Sequence, residues 1–193
     1  MTEISSENKV LAKKVLEAVG GKPKVTKYWN EDESQCVDIF SSINHPVQGV
    51  VTFSTIGLSD YPLSFRGEEY PVRIEIIGCS IRSNDLFPNL IATASFHVIS
   101  DSWFCSPGVI YPDIVSTYYA NIDLKHLYFT TPFFWQDSLS VVDLGTKKVA
   151  FVLAMPISER ERRYVVGNSP VDFEKILEQE KVDIFDLNRS SVI

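Results

Sequence analysis

The chain has 193 residues with a formal charge of −7, and 45% of them are hydrophobic and 12% aromatic. A chain of this length buries roughly 70% of its unfolded surface, enough for one core, and its aromatic content excludes intrinsic disorder. The acidic balance speaks against direct nucleic-acid binding, which needs a basic stripe to neutralise phosphates, and suits solubility or a basic partner.

The opening residues Met1 to Asn8 carry acids and hydroxyls where a secretion signal has a basic region and then an apolar run, so the expected compartment is the cytoplasm. Ser5 or Ser6 then caps a first helix with Leu11, Val15, Ala18 and Val19 on one face, which Gly20-Gly21 and Pro23 end. Four strand-like segments follow: Val25 to Trp29, Cys36 to Phe40, Val47 to Ile56 and Val72 to Ile77, rich in β-branched and aromatic residues. Their separators, Asn30 to Ser34, Asn44-His45-Pro46 and Asp60-Tyr61-Pro62, are short and have turn chemistry, which predicts antiparallel neighbours.

A second helix is predicted near Pro88, capped by Asn84 or Asp85, with Leu90, Ile91, Ala94 and Val98 inward, closing before Trp103. Beyond Ser106-Pro107-Gly108 the chain becomes extended again near Val109 to Tyr111, Leu127 to Thr130 and Val149 to Met155, which stops at Pro156. No stretch reaches the roughly 18 consecutive apolar residues of a bilayer span. A last helix starts at Ser169 and Pro170 with Phe173, Ile176 and Leu177 as its apolar stripe. The pattern predicts an α+β fold, a single domain over residues 1–193, with a mixed, largely antiparallel sheet and flanking helices.

Catalytic chemistry has few footholds. Cys36, Cys79 and Cys105 are odd in number and far apart, and read as reduced thiols. Neither they nor His45, His97 and His126 have the local spacing of a metal site, and no glycine loop suits a phosphate or dinucleotide, so neither metal nor cofactor is expected. The one enzyme reading with named residues takes Cys105 as nucleophile, His126 as base and Asp123 as its orienting acid. A small core cysteine is the simpler reading of Cys105.

Binding is better served. Glu31-Asp32-Glu33 with nearby Asp38, and Glu68-Glu69, are the candidate partner-binding residues, because acidic side chains would speed encounter with a basic partner and select its orientation. Arg160, Arg162 and Arg163 form a solvated basic run. The clusters Trp103-Phe104, Tyr118-Tyr119 and Phe133-Phe134-Trp135 cannot all point inward along a strand, so some of these rings are expected at the surface.

The C-terminal half carries a resemblance. Ser106-Pro107-Gly108, Leu127-Tyr128-Phe129-Thr130-Thr131-Pro132, the strand Phe151-Val152-Leu153-Ala154-Met155 running into Pro156-Ile157-Ser158-Glu159-Arg160-Glu161, and the close Val182-Asp183-Ile184-Phe185-Asp186-Leu187-Asn188-Arg189 together resemble the suppressor-of-fused (SUFU) domain family. The opening helix followed by Val25-Thr26-Lys27-Tyr28-Trp29 resembles its bacterial immunity and antitoxin branch. The resemblance implies a non-enzymatic protein that binds a cognate polymorphic, LXG-type DNase toxin in the cytoplasm and occludes its nuclease domain. An intracellular adaptor that sequesters another protein partner is the alternative. No interface residue follows from the resemblance, and neither reading sets an oligomeric state.

Overall fold

The computed structural model describes residues 5–193; Met1 to Ile4, the first half of the acid- and hydroxyl-bearing opening, lie outside the described residues. Helix α1 spans Ser6–Val19, and Ser5 is its cap, the Oγ accepting the Asn8 N–H at 3.0 Å. Leu11, Val15 and Val19 are buried at four-residue spacing while Ala18 is half-buried. The helix stops at Gly20, whose φ of +83° few side-chain-bearing residues adopt and whose N–H returns to Leu16 O at 2.8 Å.

Strands β1 (Lys24–Trp29), β2 (Cys36–Ile43) and β3 (Val50–Ile56) then run as an antiparallel meander. The step to the next long strand is not the plain turn expected at Asp60-Tyr61-Pro62. A 3-10 turn over Leu58–Asp60 buries Leu58 and Leu63, and the chain then makes a small hairpin of β4 (Ser64–Phe65) and β5 (Glu68–Glu69) before β6 (Val72–Ile81) pairs antiparallel with β3.

Helix α2 (Phe87–Asp101) buries Leu90, Ile91, Ala94 and Val98 as its periodicity predicts. Its start differs from expectation: neither Asn84 nor Asp85 caps it, because the Asn84 carbonyl accepts the Phe87 N–H at 3.1 Å in a turn that leads straight into the helix. Pro88 removes a donor that the first turn would leave unpaired anyway. The helix lies close on the sheet at Gly78, where an added Cβ would stand 3.0 Å from Phe87 Cε1 and 3.1 Å from Ile91 Cδ1.

The remaining strands are β7 (Ile110–Tyr111), β8 (Leu124–Thr130), β9 (Val142–Asp143) and β10 (Lys148–Ser158). They complete an eight-stranded sheet of order β1-β2-β3-β6-β10-β8-β7, with β9 on the flank of β10. All its pairings are antiparallel except β10 with β6, which runs parallel from Lys148↔Val72 to Ala154↔Gly78. Contrary to the expected stop at Met155, β10 continues through Pro156, opposite Leu127 of β8. Pro156 lies past the last pair with β6, so its missing N–H takes no bond from that side.

Helices α3 (Glu159–Gly167) and α4 (Pro170–Gln179) close the chain, capped by Ser158 and Ser169. The pleat sorts the core. Ile39, Phe53, Ile76, Val152 and Ala154 pack under α2, while Phe40, Ile56, Ile77, Phe151 and Leu153 pack with Leu11, Val15 and Val19 of α1. Farther along the sheet Met155 and Ile157 meet Phe173 of α4. The architecture is the expected α+β fold with a mixed, mostly antiparallel sheet.

Candidate partner-binding surface

The register gathers the predicted acidic residues at one end of the sheet. Trp29↔Cys36 closes the β1–β2 hairpin at the end where β3 finishes at Ile56 and where β6 and β10 begin, with Val72 opposite Lys148. Glu31, Asp32 and Glu33 therefore project from the same end as Glu68 and Glu69 of the β4–β5 hairpin.

Within the β1–β2 turn the Gln35 N–H donates to Asn30 Oδ1 at 2.9 Å. Asp32 is turned back on its own loop: Oδ1 accepts the Ser34 hydroxyl at 2.7 Å and the Ser34 N–H at 3.1 Å, and these bonds hold its carboxyl below the usual range. Asp38 is paired across the strands with Lys27 at 2.9 Å, and Glu69 with Arg73 at 2.6 Å. Glu31, Asp32, Glu33 and Glu68 are exposed and have no ion-pair partner among the described residues; Asp32 is turned back on its own loop, so Glu31, Glu33 and Glu68 are the unmatched charges left to face outward.

The platform under them is tied together by hydrogen bonds to one buried carboxylate. Glu75 is fully buried, and its Oε1 accepts the Gly57 N–H at 2.9 Å, the Ser59 N–H at 3.1 Å and the Ser59 hydroxyl at 2.7 Å, while Oε2 accepts the Thr55 hydroxyl at 2.5 Å. Burial pushes its carboxyl above the usual range, and these donors pull it down. Alongside, Lys147 Nζ reaches Asp60 Oδ1 at 2.6 Å and Glu7 Oε2 at 3.2 Å, joining the start of α1 to the β3–β6 connection and the β9–β10 turn.

Sequence reasoning missed the aromatic part of this end. Phe65 and Tyr70 are exposed and lean on Phe104, with ring centroids 4.6 Å and 5.2 Å away, and Arg66 lies 5.1 Å above the Phe65 ring. Arg66 and Gly67 both have positive φ, the conformation a two-residue hairpin turn of this hand requires. A residue-Gly dipeptide between Phe65 and Glu68 was the available signal. Of the aromatic run on the far side, Phe133 and Phe134 are 46% and 40% exposed, whereas Trp135 is buried. The run forms a 3-10 turn rather than a strand, and its two exposed rings border a groove of about 550 Å³ that also includes Leu177, Ile184 and Phe185.

The Cys105, His126 and Asp123 triad is not assembled. Cys105 is completely buried and burial pushes its thiol up, opposite to what a nucleophile needs. His126 is buried as well: its Nδ1 accepts the Asp113 N–H at 2.9 Å and its Nε2 lies 2.8 Å from Glu159 Oε2, outside hydrogen-bond geometry. The orienting place expected of Asp123 is thus taken by Asp113 and Glu159. His97 bonds Asp101 at 2.6 Å. Among the described residues no three His, Cys, Asp or Glu side chains stand together as metal ligands, and no helix is long and apolar enough to cross a membrane.

Comparison with known proteins adds a lineage. The model of the suppressor of fused protein (SUFU) family matches residues 33–190. The immunity protein YqcF of Bacillus subtilis (strain 168) is 37% identical over 190 residues, covering 98% of this chain and 99% of that protein. Among solved structures, a SUFU homolog from Neisseria gonorrhoeae FA 1090 superposes with a TM-score of 0.70 at 15% identity, covering 96% of both chains. The Sufu–Fu complex gives 0.66 at 13% identity, covering 95% of this chain and 91% of that one. At these identities the structural matches speak for the fold.

Proposed function

This chain belongs to the suppressor of fused (SUFU) family, and on that premise we propose that it is an immunity protein: it binds a cognate toxin in the cytoplasm and neutralises it without catalysing a reaction. The observation that carries the reading is the 37% identity to a protein named for immunity, sustained over 98% of the chain. The finer reading is that the toxin is an LXG-type DNase, and that all 193 residues act as one domain in occluding its nuclease domain.

Electrostatics supports a nuclease as the partner. A DNase must attract phosphates, so its working face is basic, and an inhibitor of charge −7 competes for that face. The acidic end of the sheet is the contact we assign: Glu31, Glu33 and Glu68 supply unpaired charge, Asp32, Asp38 and Glu69 add to the field, and Phe65 and Tyr70 offer rings that can be desolvated. Pairs of DNase and immunity protein reach the practical ceiling of non-covalent affinity, so a partly charged interface is no obstacle to tight binding.

The test is co-expression with the cognate toxin nuclease. Protected cells and a stable complex on copurification are expected. Cells that die as fast as unprotected ones would overturn the reading and leave an adaptor for another protein.

A further inference from the structure

Strand β1 is the last strand on its side of the sheet, and among the described residues nothing pairs with its outer edge. The hairpin decides which backbone groups face out. The Asn30 N–H donates to the Gln35 carbonyl at 3.1 Å. Bonded pairs alternate along an antiparallel ladder, so Tyr28 with Val37, Thr26 with Ile39 and Lys24 with Ser41 share bonds. The N–H and C=O groups of Val25, Lys27 and Trp29 therefore point outward.

The side chains of the same three residues share the face away from α2, since Tyr28 packs with the core under that helix. Val25 is 52% and Trp29 54% exposed, two large apolar groups on one unpaired edge. Edge strands are usually blunted by lysine, but the Lys27 ammonium is drawn to Asp38 at 2.9 Å. Charge along the edge is polar: Lys22 and Lys24 at the start are exposed and outside any ion pair among the described residues, and Glu31, Asp32 and Glu33 stand at the finish.

We propose that a second copy of this chain occupies this edge, β1 against β1, antiparallel about a two-fold axis at Lys27. Only registers that set outward residues opposite outward residues form bonds, and the one centred on Lys27 engages all three. Lys27 then faces Lys27, each neutralised by its own Asp38, and Val25 faces Trp29 on either side of the axis. Lys24 falls opposite Asn30, and Lys22 opposite Asp32 between Glu31 and Glu33, so the basic start of each strand meets the acidic finish of the other. Pro23, with no N–H to offer, ends the ladder where the strand begins. The interface is self-complementary, as a two-fold contact must be; it is argued from the fold rather than from the immunity reading, and because it engages Glu31 and Glu33 the dimer is the toxin-free form, exclusive with toxin contact at those residues.

Sedimentation velocity of the full chain over a range of concentrations should show a monomer–dimer equilibrium. In a Cys36→Ser background, Lys27→Cys should cross-link under mild oxidation, because opposed residues of a bonded antiparallel pair lie about 5.5 Å apart, within disulfide reach. Thr26→Cys in the same background faces Tyr28 and should not. The double variants K22E/K24E and E31K/E33K should each sediment as monomers at concentrations where the native chain is dimeric, and an equimolar mixture should restore the dimer. A chain that stays monomeric at every concentration, equal cross-linking at positions 26 and 27, or charge variants that dimerise like the native chain would each overturn the proposal.

Discussion

Arg189 and Glu161 meet in a buried two-pronged ion pair, Nη1 at 2.6 Å from Oε1 and Nη2 at 3.1 Å from Oε2, with Glu161 wholly out of solvent. Glu161 also completes the capping box of α3: its Oε2 accepts the Ser158 N–H at 2.7 Å while Ser158 Oγ accepts the Glu161 N–H at 3.2 Å. Val192 donates to the same carboxylate at 3.1 Å, and Arg189 Nη2 to the Pro156 carbonyl at 3.1 Å. Two blocks that carry the family resemblance, Pro156 to Glu161 and Val182 to Arg189, are thereby one structure.

Removing one partner of such a pair leaves an uncompensated buried charge. Arg189→Ala should cost about 3–5 kcal/mol of stability in urea denaturation. Arg189→Lys keeps the charge but not the fork and should fall between the two. A loss below about 1 kcal/mol for Arg189→Ala would show the pair to be dispensable.

Glu75 makes stability depend on pH. Its folded carboxyl is held above the ordinary value of 4.5, chiefly by burial. The folded state therefore binds the proton more tightly than the unfolded chain, and this contribution is full below the ordinary value and lost as pH rises through the folded one. Glu75→Gln imitates the protonated form, its amide donating to Thr55 and its carbonyl accepting from Gly57 and Ser59. As pH rises above about 4.5, the variant should gain stability relative to the native chain. A constant difference in denaturation midpoint as pH rises would contradict this.

The acidic residues should not contribute equally to toxin binding. Replacing Glu31, Glu33 and Glu68 with lysine should slow association with the toxin nuclease roughly tenfold at low salt and flatten its salt dependence. Asp38→Asn and Glu69→Gln, whose charges are already matched by Lys27 and Arg73, should change the rate less. Stopped-flow measurements at two salt concentrations separate the cases, and equal effects would refute the ranking.

Thiol chemistry distinguishes the three cysteines. Burial pushes Cys79 up to about 12 and Cys105 higher still, whereas Cys36 is partly exposed. Alkylation of the folded chain followed by mass spectrometry should modify Cys36 first and leave Cys79 and Cys105 intact until the chain is unfolded. Rapid native-state labelling of Cys105 would revive it as a nucleophile.

The elements readable in advance were those whose signal is local. Ser5 and Ser169 cap helices as their hydroxyls suggest, and Leu90, Ile91, Ala94 and Val98 face inward because their spacing admits one buried face. The meander from β1 to β3 followed from turn residues too few for a crossover. The β4–β5 hairpin escaped notice because its strands are two residues each, too short for alternation to show.

By itself the sequence determined the charge, the helix boundaries set by capping chemistry, the faces that must be buried and the α+β class, since these depend on residues a few positions apart. Tertiary structure alone decided that β10 enters between β6 and β8, that Arg189 neutralises Glu161 from 28 residues away, and that Lys147 reaches Asp60 across 87. It also decided which acids are free. Periodicity states which face of an element is apolar but not which element will cover it, and a charge is free or matched only once the fold has chosen its neighbours.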